Sequence, residues 1–298
     1  MQGLTKEIFR SMLVQHPEGR AFPVMFVGDI QYVGKKSNAV SLSILQENLQ
    51  RGLDIGAWFL GMGDYLDTFS PSNRARLRGA NLYETAEESI DDQAADRAQE
   101  LFDIALRPTK GRWLGLLAGH HWHKFSHGDT TDMRLAGLLD TNFLGDCATI
   151  RLVFHMEKNP RSCSIPGVIW AHHGTGNGQT GYYPLGRLEK VAAWWEEVDV
   201  FAMGHTTKQA TESGNKLRSR WGNRASNHTW DLSHRKIVLI GSGGYSKTYV
   251  EGAVQGQVPA GGYAEKGMMN PAIMGSPVVW FFPKQSNGKL SLDVRGEA

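Results

Sequence analysis

Three imidazoles stand within five residues at Gly119-His120-His121-Trp122-His123, directly after the apolar run "RWLGLLA". Imidazole binds transition metals and exchanges protons near neutral pH, so the cluster points to metal or acid–base chemistry. Four further apolar runs end in a similar way. "FPVMFVGDIQ" delivers Asp29 and Gln31, "GAWFLGMGDYLD" delivers Asp64 and Asp67, "GVIWAHHG" delivers His172 and His173, and "DVFAMGHTT" delivers His205 and Thr207. A single Asp after a strand is commonly a turn or cap residue. Five runs that end in Asp or His, most with glycine alongside, form a joint pattern that turn chemistry alone does not explain. Carboxylates mixed with imidazoles suit Mn, Fe, Ni or Zn better than Ca or Mg alone.

The elements that must position these residues alternate in type. Short apolar runs bounded by glycine read as strands buried on both faces, and "LSILQENLQRGLD", the stretch Thr85–Leu106 and "LGRLEKVAAWWEEV" read as helices. "PVVWFF" and "KLSLDV" flank "KQSNG", a hairpin signal. Strands alternating with helices early and paired strands late imply an α/β sandwich. In such folds ligands collect beyond the carboxyl ends of strands, where these Asp and His residues fall. Ile8, Phe9, Met12 and Leu13 at helical spacing predict an N-terminal helix over 1–20. The rest, about 21–294, reads as the core of one domain spanning 1–298, because no linker, repeat or low-complexity tract divides it. The segments 205–235 and 243–276 are long, Gly-rich and polar, and predict functional loops.

Composition limits the possibilities without choosing among them. The 298 residues carry a net charge of +2, so any polyanion site has to be local. Two cysteines, Cys147 and Cys163, form neither a disulfide framework nor a zinc-knuckle spacing, which predicts a reducing, cytoplasmic setting. No run is long enough to span a bilayer and no secretory pattern opens the sequence, so no membrane association is expected.

In order and spacing, "GDIQ", "GMGDYLD", "GHHWH", "AHHG" and "GHTT" resemble the five metal motifs of the calcineurin-like metallophosphoesterases, from Asp29 to Thr207. "HHGTGNGQTG", "GSGGYSKTYVEG" and "GGYAEKGMMNPAIMGSPVV" look like segments of the members that bacteriophages commonly encode, which would place the protein in the host cytoplasm. The resemblance implies a four-layer α/β/β/α sandwich and two metals about 4 Å apart. It implies that Asp64 bridges the metals, with Asp29 and Gln31 at the first and His120, His173 and His205 at the second. His172 is the alternative to His173, and the glycine after His173 favours the latter. His121 falls where the family has a histidine that assists the transition state or leaving group, and Asp67 where it has a supporting carboxylate. The implied reaction is direct hydrolysis of a phosphoester by a metal-activated water.

Four positions depart from the family pattern. Gln31 stands in place of His, His120 in place of Asn, Trp122 in place of an acid that orients the neighbouring histidine, and Thr207 in place of the terminal His. The second metal site is complete and the first is weakened, which predicts one tight and one weak site for a divalent transition metal, Mn2+ foremost. His123, His228 and His234 are candidates to fill the gap. "KLRSRWGNRASNHTW", with Lys216, Arg218, Arg220, Trp221 and Arg224, combines cations with aromatic rings as a nucleic-acid grip would, or else is a solvated loop. Three readings follow: a phosphodiesterase acting on nucleic acid, a hydrolase of small nucleotides or nucleoside diphosphate derivatives, and an eroded metallophosphoesterase fold kept as a binding or regulatory protein. No protein partner is inferable.

Overall fold

The computed structural model describes residues 6–14 and 21–298, apart from 36, 81, 157–163, 177–179, 181, 222–229, 253, 256–257, 260–262 and 287–288. Its elements begin with β1 (Lys6–Val14), β2 (Phe22–Val27), α1 (Leu42–Asp54), β3 (Trp58–Gly61), α2 (Pro71–Gly79) and α3 (Glu84–Leu101). They continue with β4 (Trp113–Leu117), α4 (Thr131–Leu138), β5 (Phe143–Gly145), β6 (Cys147–Met156), β7 (Ser164–His172), α5 (Tyr183–Ala192) and β8 (Val200–Met203). The remainder is β9 (Gln209–Trp221), β10 (Trp230–Ser242), β11 (Val254–Gln255), β12 (Val258–Pro259), α6 (Tyr263–Lys266), β13 (Val278–Ser286) and β14 (Lys289–Glu297).

Two six-stranded sheets carry the fold, ordered β14-β13-β2-β3-β4-β5 and β1-β6-β7-β8-β10-β9. The runs expected to be buried strands are so placed. Val24, Phe26, Leu60, Leu114 and Leu117 of the first sheet meet Ile150, Leu152, Ile169, Val200, Val238 and Ile240 of the second in one apolar layer. The opposite face of the first sheet packs on the helices through Met25, Phe59, Trp113, Leu45, Leu101 and Leu135. The outer face of the second packs on α5 through Trp170, Phe201, Leu185 and Leu188. Helix, sheet, sheet and helix therefore form four layers, the α/β/β/α sandwich expected from the sequence. Each fully buried Leu, Phe or Val contributes roughly 1.5–3 kcal/mol, so these three layers hold the strand ends in register.

Two expectations fail. The segment expected as an N-terminal helix is instead strand β1, paired in parallel with β6 from Lys6↔Ala148 to Val14↔Met156. Nine residues are too few for spacing to separate helix from strand, and the open edge of β6 offers its backbone a ladder. Much of the segment 205–235 is a long hairpin rather than a loop, with β9 and β10 in antiparallel register from Gln209↔Ser242 to Trp221↔Trp230. Among the described residues, no helix is long and apolar enough to cross a membrane.

Candidate metal centre

β2, β3 and β4 run parallel in one sheet, and β7, β8 and β10 run parallel in the other. The loops after β2, β3, β4, β7 and β8 carry Asp29, Asp64, His120, His173 and His205. Backbone bonds tie these loops together: Asp29 N–H donates to Gly63 O at 2.9 Å, Gln31 N–H to Asp64 O at 2.9 Å, and Tyr245 N–H to Asp29 O at 3.0 Å. Thr68 N–H and Oγ1–H both donate to the His121 carbonyl, at 3.1 and 2.7 Å. Among the described residues, seven other than glycine have a positive φ, and five of them are Asp29, Gln31, Asp64, His205 and Thr207. Left-handed backbone is unfavourable for such residues and persists where packing over-determines it. Here it turns each side chain sharply off its strand.

Gly119 shows how tight the assembly is. A Cβ there would lie 2.7 Å from Asp64 Cα and collide with the Asp64 amide and carboxylate, so the β4 loop reaches Asp64 only as glycine. Asp64 Oδ1 accepts the backbone N–H of His120, and that of His121 at 3.0 Å. Asp29 Oδ2 accepts the N–H of His205 at 2.8 Å.

Two groups of ligand-type atoms result, His120–His173–His205 and Asp29–Asp64–His173, each with its atoms within 4.8 Å of one another. His120 Nδ1 and His205 Nδ1 are 3.1 Å apart. Two nitrogens about 2.0–2.1 Å from one tetrahedral ion stand about 3.3 Å apart, so the spacing fits a shared ion with little movement. His173 is 2 % exposed, and its Nδ1–H donates to the Met62 carbonyl at 2.6 Å, which aims Nε2 at Asp64 Oδ2, 3.2 Å away. That contact is an ion pair, while the buried Asp29 Oδ1 has no hydrogen-bond partner among the described residues. A buried carboxylate oxygen without a hydrogen bond, beside a second carboxylate and an imidazole, is a donor set suited to a cation.

The electrostatics agree. Burial raises the Asp29 carboxyl above its usual range, the Asp64 charge adds to this, and His173 offsets it in part. Burial alone would raise Asp64 too, but contact with His173, the charge of His121 and the His120 amide outweigh it and hold Asp64 low. Burial would lower His173, yet Asp64 and Asp29 push it up to about 9. Burial, then the neighbouring His173 and His120, brings His205 down to about 4. Two buried carboxylates beside an imidazole that holds a proton gain by exchanging that proton for a divalent ion.

His121 sits beside the group. Its Nδ1 meets Asp67 Oδ1 at 2.7 Å, and this bond raises its pKa. Asp67 thus supplies the orienting carboxylate that Trp122 fails to provide. Trp122 lies under the Arg74 guanidinium, 3.9 Å from its ring centre. Arg74 Nη1 in turn donates to the carbonyls of Phe69, His120 and Trp122 at 2.6, 2.7 and 3.0 Å.

Other expected residues fall elsewhere. His172 is outside both groups: its Nδ1 accepts the Gly174 N–H at 2.7 Å and its ring stacks on Trp170. His123 turns away to Asp91, Nε2 to Oδ1 at 2.6 Å, and fills no metal position. His234 is exposed near the start of β10, eight residues from the site end of that strand, or roughly 26 Å at about 3.3 Å per residue. His228 and Arg224 lie outside the described residues. Gln31 and Thr207 keep their places at the ends of β2 and β8, Thr207 with its Cβ close to Gly244 beside Asp29.

The basic segment runs along a strand that leads away from the cluster. β9 starts at the site end with Gln209, so Arg218, Arg220 and Trp221 lie at the other end of the strand, about 30 Å or more away. Lys216, on the same strand, donates to the carbonyls of Ala192 and Trp195 at the end of α5. Sequence reasoning missed Asp132, 2 % exposed, whose Oδ2 accepts the Gly119 N–H at 2.9 Å and supports the β4 loop from α4. It also missed Asp91 and Arg74, whose partners are distant in the chain.

No protein-family model matches the chain, and no curated protein matches it. Among solved structures it is similar to Vacuolar Protein Sorting 29 from Cryptosporidium parvum, at 13% identity over 93% of this chain and 98% of that one, with a TM-score of 0.32. It is also similar to a single-mutant Vps29 from Entamoeba histolytica, at 14% identity over 93% and 100% of the two chains, with a TM-score of 0.31. At such scores the site rests on this chain's own residues.

Proposed function

We propose that this chain is a metal-dependent phosphoesterase that cleaves phosphodiester bonds, with manganese preferred among divalent transition metals. The observation that carries the reading is the convergence of Asp29, Asp64, His120, His173 and His205 from five strand ends, with the buried Asp29 Oδ1 lacking a hydrogen-bond partner among the described residues. The order of the motifs, which resembles that of the calcineurin-like metallophosphoesterases, supports the phosphoester assignment. The donor set fits a transition metal: three imidazoles and two carboxylates, with His173 oriented by the Met62 carbonyl.

A divalent metal held by Asp29, Asp64, His120, His173 and His205 would supply Lewis-acid stabilisation of phosphoryl charge and activation of water. The chain's own residues supply the rest. His121, whose pKa the bond to Asp67 raises, is placed to offer a proton at Nε2 to the leaving oxygen. Asp64 holds the β4 loop through two backbone amides, so His120 and His121 keep a fixed relation to the carboxylates. Gln31 and Thr207 are poor substitutes for imidazole, and neither His123 nor His234 fills in for them. One tight and one weak site follow.

For the substrate, the register of β9 runs the backbone of Arg218, Arg220 and Trp221 away from the cluster, which favours a compact substrate over a polymer held by that segment. A small phosphodiester, such as a nucleotide derivative, fits the site better than a polymer. The non-hydrolytic alternative leaves the His121–Asp67 pair without a task. Hydrolysis of an aryl phosphodiester with added Mn2+ tests the reading: wild type should turn over well above Asp64→Asn and His121→Gln. Equal background rates in all three would remove the enzyme.

A further inference from the structure

The peptide groups around His121 are held from two sides. Asp64 Oδ1 accepts the N–H of His120 and of His121, and Thr68 donates to the His121 carbonyl. The carbonyls before and after it, those of His120 and Trp122, both accept from Arg74 Nη1, at 2.7 and 3.0 Å. The same nitrogen donates to the Phe69 carbonyl at 2.6 Å, which joins the loop after β3 to the loop after β4. The guanidinium carbon lies 3.9 Å from the centre of the Trp122 ring, so an aromatic face holds the planar cation while its N–H groups reach the carbonyls.

Helix α2 is arranged to deliver this one side chain. Pro71 occupies its first turn, and the Ser70 hydroxyl caps it by accepting the Asn73 N–H at 3.3 Å, which fixes where Arg74 leaves the helix. Of the α2 side chains described, Arg74 and Leu77 alone are not exposed, and none joins the three apolar layers. A helix so placed acts on the loop of His120 and His121 rather than on the core. We propose that Arg74 is a positioning residue: by fixing the peptides on either side of His121, it sets the His120 ring toward the metal and the His121 ring toward the leaving oxygen. The effect on His121 rests on the phosphoesterase reading, whereas the effect on His120 needs only a bound metal.

Arg74→Ala tests this, beside Arg76→Ala on the exposed side of the same helix. A group that orients a metal-binding residue is typically worth about 10- to 100-fold, so Mn2+ binding measured by calorimetry should weaken at least about tenfold in Arg74→Ala and stay unchanged in Arg76→Ala. At saturating Mn2+, kcat for an aryl phosphodiester should fall by a similar factor in Arg74→Ala with KM little changed, since the contact acts on the reacting groups and not on substrate binding. About 20 mM guanidinium, far below the molar range in which it unfolds proteins, should restore much of both losses and leave wild type unaffected. A cavity of about 170 Å³ that Arg74 itself lines, with Leu77 and Ile90, gives the added cation access. A purely structural Arg74 would instead lower the melting temperature and show no such recovery. The proposal is overturned if Arg74→Ala binds Mn2+ as tightly as wild type, if Arg76→Ala loses as much, or if guanidinium restores nothing. Should Arg74→Ala fail to fold, Arg74→Gln carries the same expected loss of Mn2+ affinity, and wild-type affinity in it would equally overturn the proposal. Weakened Mn2+ binding in Arg74→Ala of a protein that hydrolyses no phosphodiester would refute the enzymatic reading and leave the positioning of His120 standing, whereas wild type that takes up no Mn2+ would overturn both.

Discussion

Replacing Asp67 with asparagine isolates the proton-holding half of the proposed site. The Asp67 carboxylate is 2.7 Å from His121 Nδ1, with the side chains 42% and 26% exposed. A carboxylate that orients a working histidine is typically worth about 10- to 100-fold in activity. Because Asp67 is more than a third exposed, water screens much of its charge, which places the effect at the lower end. We expect kcat/KM for an aryl phosphodiester to fall about tenfold in Asp67→Asn, equivalent to about 1.4 kcal/mol of transition-state stabilisation. The pH profile gives a second and sharper readout. The bond to Asp67 raises the His121 pKa, and His121 acts in its protonated form, so activity declines as pH rises through that pKa. Without the carboxylate the pKa drops, and the basic limb of the profile should move to lower pH. A tenfold loss with no movement of the limb would mean that Asp67 acts only on the fold. An unchanged rate and profile, beside an inactive His121→Gln, would show that His121 does not depend on Asp67 at all.

Metal affinity should depend on pH, because a proton on His173 Nε2 and an incoming cation compete for one lone pair. With His173 pushed up to about 9, the apparent Kd for Mn2+ should tighten by about tenfold per pH unit below that value and level off above it. Titration across pH 6 to 9 would contradict this if the affinity stayed flat. Asp132→Ala should destabilise the protein by about 1–3 kcal/mol in denaturant, since it leaves the Gly119 N–H without its acceptor. Asp132→Asn keeps an acceptor and should remain close to wild type, so equal stability of all three proteins would remove the supporting role.

The strand ends were legible because their signal is local. Continuous apolar runs closed by Gly28, Gly119 or Gly204 declare both the strand and the turn that re-aims the next side chain, and the ligand types follow directly. The register of β1 against β6 was not legible, because nine residues of mixed character do not separate a period of 3.6 from one of 2. The β9–β10 hairpin read as a loop because much of its length is solvated and lacks apolar alternation. Strand direction matters most. Arg218 and Arg220 are near His205 in sequence, but the antiparallel return of β9 carries them away from it. Supporting contacts such as Asp132 to Gly119, Asp91 to His123 and Arg74 to the His120 carbonyl join residues 13 to 46 apart, and no short pattern encodes them.

Elemental analysis of protein purified without chelator tests the metal centre most directly, with wild type, Asp64→Asn and His173→Ala compared at matched folding by circular dichroism. About one equivalent of a divalent transition metal in wild type, lost in both variants, is the predicted result. Metal-free wild type that also fails to take up added Mn2+, or full occupancy in the His173→Ala protein, would contradict it.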